Sequence, residues 1–81
     1  MSNNDLMIEV NLSIDKCGGA EKMALIIEEL KKSLGEKFPD AQIVVRKGYF
    51  QTIDGIWSND EAIERDVKFF VEEVRNRIVA P

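Results

Sequence analysis

Asp54, Asp60 and Glu61 come nearest to a chemical constellation in this chain of 81 residues. Carboxylates so close in sequence could share a proton as an acid–base pair or hold a divalent cation. They lack the regular ligand spacing of a calcium loop. Asp60 and Glu61 also stand where a helix is about to begin, and carboxylates there serve the positive end of the helix dipole. Cys17-Gly18-Gly19 offers a second possibility: a thiol activated at a helix N-terminus, or a small anion cradle. The chain has no other cysteine and no histidine. The thiol therefore lacks an activating base, and two glycines are too short for a phosphate loop. A loop cysteine beside turn glycines is the simpler reading. The missing histidine also removes the usual general base and the commonest metal ligand. The expectation is a protein that is not an enzyme and uses no cofactor or metal.

What remains is charge, and most of it lies on one helix. Ser58 to Ala80 carries Ile63, Val67, Phe70, Val71, Val74 and Ile78 at steps of three and four, which places them on one helical face. The rest of the surface carries Asp60, Glu61, Glu64, Arg65, Lys68, Glu72, Glu73, Arg75 and Asn76. Ser58 followed by Glu61 has the spacing of a capping box. Glu61–Arg65, Glu64–Lys68 and Glu73–Arg77 are acid-first pairs four apart, each worth about 0.2–0.5 kcal/mol on an exposed helix. That explains the face as a solvated surface. It equally suits a face that binds a partner.

This helix needs an apolar layer, and the earlier chain supplies one. Leu6 to Ile14 alternates Leu6, Ile8, Val10, Leu12 and Ile14 with wetter residues, the period of a half-buried strand. Asp15 to Gly19 is a turn. Ala20 to Leu34 reads as the first helix, with Ala20, Met23, Ala24, Ile27, Leu30 and Leu34 as its apolar stripe and Ile26 widening it. Gly35 suits the position just past its end, and Pro39 prevents continuation. Ala41 to Lys47 reads as the second strand and Tyr49 to Ile53 as a weaker third, paired as an antiparallel hairpin. Asp54-Gly55 turns the chain, and Trp57 is placed to staple the second helix. The aromatic residues Tyr49, Phe50, Trp57 and Phe70 read mostly as core, while Phe69 falls beside the stripe. The order strand–helix–strand–strand–helix, with parallel strands in the first crossover, predicts an α+β fold: a two-layer β-α-β-β-α sandwich, its three-stranded mixed sheet carrying both helices on one face.

Composition narrows the class of partner. A chain of this length with 44% hydrophobic residues makes one domain, 6–80, after a frayed lead-in, 1–5. The formal charge is -4 and the pI about 4.8. Nucleic-acid binding and anionic membrane surfaces ordinarily require a basic patch, so neither is expected and basic protein surfaces are favoured. No apolar run approaches the roughly 20 residues of a membrane span. The single cysteine fits a reducing cytoplasm. A monomer is expected, its sheet edge guarded by Arg46, Lys47 and Gly48.

Residues Met7 to Val79 resemble the DinI family of small damage-inducible proteins. Met7-Ile8-Glu9-Val10 opens the first strand as in that family. Leu25, Glu29 and Leu30 fall similarly in the first helix, Phe38-Pro39-Asp40 ends the segment, Val44-Val45-Arg46 resembles the second strand, and Gly55 precedes a capped helix. The resemblance implies a non-enzymatic regulator of RecA in the bacterial SOS response, with the β-α-β-β-α fold. It implies an acidic second helix set against the RecA filament, imitating the charge of single-stranded DNA. The positions here able to carry that role are Asp60, Glu61, Glu64, Asp66, Glu72 and Glu73. Arg75, Asn76 and Arg77 depart from the family's acidic last turns. On that basis Arg75→Glu with Arg77→Glu is expected to tighten binding. The same fold acting on another partner, a repressor or a phage protein, is the alternative.

Overall fold

The structure is a computed structural model that describes residues 5–79. It contains β1 (Met7–Leu12), α1 (Ala20–Lys37), β2 (Gln42–Lys47), β3 (Gly55–Ser58) and α2 (Glu61–Val79). The predicted α+β sandwich is present: one mixed three-stranded sheet with both helices on one face. Of the expected lead-in only Asp5 lies within the described residues, and Ala80 lies beyond them.

Why β1 is central follows from its alternation. Ile8, Val10 and Leu12 are almost wholly buried, and such an uninterrupted apolar edge suits a strand flanked on both sides. β2 pairs with it in parallel, Ile8 beside Ile43 and Val10 beside Val45. β3 pairs with it antiparallel, Ile8 beside Ser58 and Val10 beside Ile56. The strand order is β2-β1-β3, which corrects the expected hairpin between the second and third strands. The third strand is also not Tyr49 to Ile53. That stretch is a loop, with Tyr49, Phe50 and Ile53 exposed. It crosses the end of the sheet, held by the Asp15 amide donating to the Gln51 carbonyl at 3.0 Å. β-prone residue types misled there because they have no apolar layer to face.

Two helix ends also differ from expectation. α1 runs through Gly35 and stops at Phe38, whose amide donates to the Leu34 carbonyl. The stop signal is Pro39, which bars the preceding residue from helical geometry. At the start of α2 the cap is Asp60, not Ser58. The amides of Ala62 and Ile63 donate to Asp60 Oδ1 at 3.0 and 3.2 Å. Glu64, not Glu61, reaches back, accepting from the Ser58 amide at 3.0 Å. Ser58 is a buried strand residue whose Oγ accepts from the Asp60 amide. Asp60→Ala is expected to cost about 1 kcal/mol, the usual value of an N-cap. Urea unfolding checks it, and an unchanged midpoint would reassign the cap.

The core joins the inner sheet face to both helices. Met23, Ile26, Leu30 and Leu34 come from α1, and Val67, Val71 and Val74 from α2; Phe38, Ile63 and Phe70 pack at its rim. Cys17 lies in the turn between β1 and α1, as expected of a loop cysteine beside turn glycines, and its side chain is fully buried against the core. Trp57 faces away from the helices and is half exposed, which removes its expected stapling role.

Candidate protein-binding face

The acidic residues predicted on the second helix fall into two groups. Glu64 is structural. It accepts from the Ser58 amide and pairs with Lys68 at 3.5 Å. The Ser58 N–H, with Lys68, holds its carboxyl below the ordinary glutamate range. Asp60 is exposed but engaged as the cap. Glu61, Asp66, Glu72 and Glu73 are exposed with no ion pair among the described residues. The structure therefore brings Asp60, Glu61, Asp66, Glu72 and Glu73 to the surface of one helix and commits Glu64 to its first turn. Of the acid-first pairs, only Glu64–Lys68 closes to ion-pair distance.

Phe69 is 67% exposed and lies on the outer surface of α2. Helical spacing sets Asp66 one turn before it and Glu72 and Glu73 one turn after it. An exposed aromatic ringed by carboxylates gives the face an apolar anchor within its field. The sequence allowed Phe69 either to widen the apolar stripe or to mark an exposed patch, and its exposure fits the second.

Arg75 departs furthest from expectation. The sequence assigns it to the charged face, yet its side chain is 9% exposed and donates from Nη1 to Asp54 Oδ2 at 2.7 Å. The Ser13 amide donates to the other Asp54 oxygen at 2.9 Å. Burial pushes the Asp54 carboxyl up, but the Ser13 amide and the Arg75 guanidinium outweigh that and leave it below its ordinary value. Burial pushes the neighbouring Cys17 thiol up, against the opposing influence of Arg75. This closes the reading of Cys17 as an activated nucleophile. The loop, the end of β1 and α2 are thus tied together through one carboxylate. Sequence reasoning missed the group because Asp54 and Arg75 are 21 residues apart and each has a ready local explanation.

The expected gain from Arg75→Glu with Arg77→Glu is overturned by this geometry. A glutamate at position 75 would face Asp54 in a nearly dry site, where like charges cannot both ionise. Only Arg77, which is exposed, is available for such a reversal.

An open cleft of about 240 Å³ lies over the Asp54–Arg75 pair, lined also by Lys16, Ile56, Lys68 and Glu72. Its charged groups include the Asp54–Arg75 ion pair, and Tyr49, in the loop before Asp54, projects into solvent. Among the described residues, no group of acidic or cysteine side chains could hold a metal ion, and no helix is long and apolar enough to cross a membrane. Comparison with protein-family models, curated proteins and solved structures found no match.

Proposed function

We propose that this chain is a non-enzymatic, cytoplasmic regulator of the SOS response that binds the RecA filament through α2 and modulates filament stability or coprotease function. The observation that carries the reading is the withdrawal of Arg75 into its pair with Asp54. With Lys68 held by Glu64, Arg65 and Arg77 are the α2 cations with no ion pair among the described residues, against Asp60, Glu61, Asp66, Glu72 and Glu73. The last turns are therefore more acidic at the surface than their sequence, which removes much of the departure from the family pattern. Exposed carboxylates on a rigid helix suit a basic protein groove of the kind that receives a DNA backbone. Among the described residues no catalytic constellation competes with this reading, since Asp54 in the cleft is taken up by Arg75 and Lys16.

Fluorescence anisotropy of the labelled chain against RecA–single-stranded DNA filaments tests it. Binding at ~10 µM or tighter is expected at low salt, weakening as salt rises. No binding under those conditions would sink the proposal. Capture from host lysate separates the alternative: RecA dominates the eluate under the first reading, and a repressor or phage protein under the second.

A further inference from the structure

The sheet has a second face, and no element among the described residues covers it. Register places Val44, Glu9 and Trp57 in one row across β2, β1 and β3, with Arg46, Asn11 and Gly55 in the next. Met7 lies beyond Glu9 on the same face of β1. The loop bearing Tyr49, Phe50 and Ile53 borders the Arg46 end. Tyr49 is 99% exposed, Phe50 67% and Trp57 47%; Met7, Val44 and Ile53 are exposed as well.

We propose that this face is a self-association surface on which two copies of the chain pair about a two-fold axis, sheet against sheet. Area is the first argument. Aromatic side chains carry about 150–250 Å² each, so the exposed fractions of Tyr49, Phe50 and Trp57 amount to roughly 400 Å². Met7, Val44 and Ile53 raise the apolar total to roughly 600 Å², at the upper end of the largest patch a monomer ordinarily shows. A standard interface takes about 800 Å² from each partner, a little over half of it apolar. One copy of this face supplies that apolar area, and a two-fold contact presents it twice.

Charge is the second argument. Two chains of charge -4 repel, and they repel least when they meet on a neutral surface. The sheet face is neutral, because Arg46 Nη2 sits 2.9 Å from Glu9 Oε1. Pairing through the acidic surface of α2 would instead set like charges together.

The third argument is hydrogen bonding. Arg46 Nε donates to Asn11 Oδ1 at 2.7 Å, and Asn11 Nδ2 donates to Glu9 Oε1 at 3.1 Å and to the Gly55 carbonyl at 3.2 Å. The central polar groups bond one another within one copy, which lowers the cost of excluding water when a second copy covers them. Both helices then lie on the outside of the dimer, and the surface of α2 stays free. The proposal is independent of RecA binding.

Trp57 is the chain's single tryptophan and reports directly. Sedimentation velocity and tryptophan emission are measured on the full chain from ~10 µM to ~1 mM, the range in which a modest interface of this size associates. The expected result is a monomer–dimer transition with a concentration-dependent blue shift of Trp57. Val44→Lys, on an exposed strand position, and Tyr49→Ser with Phe50→Ser, in the loop, are each expected to weaken the dimer at least tenfold while circular dichroism stays native. A chain that remains monomeric across the range overturns the proposal. So does a dimer that forms without the Trp57 shift, or one that survives both variants, because such a dimer uses an edge or a helix instead.

Discussion

Arg75→Ala is expected to destabilise the fold by about 3 kcal/mol, because it strips the largely buried Asp54 carboxylate of its close partner and leaves only the half-exposed Lys16 ammonium, 4.0 Å away. The side chains are only 9% and 12% exposed, so surface screening does not reduce this to the small value of an exposed pair. A chain of this size has a total stability of roughly 4–12 kcal/mol. The change should lower the melting midpoint by roughly 12–24 °C. The loss belongs to the orphaned carboxylate more than to the bond itself. Asp54→Asn with Arg75→Met should therefore be more stable than Arg75→Met alone, since the asparagine oxygen still accepts from the Ser13 amide and no unpaired charge remains. The pH dependence has a defined sign. Asp54 titrates lower in the folded chain than in the unfolded one. Its stabilisation is therefore complete above the unfolded value of about 3.9 and is lost as pH falls through the lower folded value. Urea midpoints between neutral and strongly acid pH should fall less steeply for Asp54→Asn than for the parent; Glu64, lowered as well, accounts for part of what remains. An Arg75→Ala variant that melts with the parent would show that the pair contributes nothing.

That pair also marks where sequence reading stops. The alternation of Ile8, Val10 and Leu12 and the three-and-four spacing of Val67, Val71 and Val74 are local signals, so β1 and α2 were legible, as was the α+β layout. Strand order was not, because Tyr49 to Ile53 has strand-forming residues and nothing in their types says that the apolar layer ends before them. The Ser58 cap failed for a related reason: Ser58 belongs to the sheet, and Asp60 takes over two residues later. Phe69 does not widen the stripe: it stands on the outer surface of α2, nearly opposite Val67, Val71 and Val74, which leaves the exposed patch as the reading that fits. Arg75 lies one residue past Val74, so periodicity alone puts it at the edge of the charged face. Only the fold shows that the edge is closed by Asp54. Of the site, the carboxylate positions were readable and their compensation was not.

Compensation decides how unequally those carboxylates act in binding. From sequence, Asp66 and Glu72 lack a basic residue four positions on and are the least offset. The structure separates them. Glu72 borders the cleft that contains Lys16, Lys68 and Arg75, so part of its field is cancelled. Asp66 is exposed with no ion pair among the described residues, and so is Glu73, whose sequence partner Arg77 does not close on it. Asp66→Lys should therefore slow association with RecA filaments most, by about tenfold at low salt, with Glu73→Lys next and Glu61→Lys, at the far end of the helix from Phe69, least. Glu64→Lys is unsuitable as a control, because it removes the acceptor for the Ser58 amide. Arg77→Glu alone should speed association, since it removes one of the two α2 cations that have no ion pair among the described residues. None of these surface changes should alter stability by more than about 0.5 kcal/mol. Stopped-flow association rates at two salt concentrations, with circular dichroism on each variant, measure the series. The spread between variants should narrow at the higher salt, as screening shortens the reach of each charge. If Asp66→Lys and Glu73→Lys associate as fast as the parent at both salts, the acidic surface of α2 is only solvated and the binding face lies elsewhere.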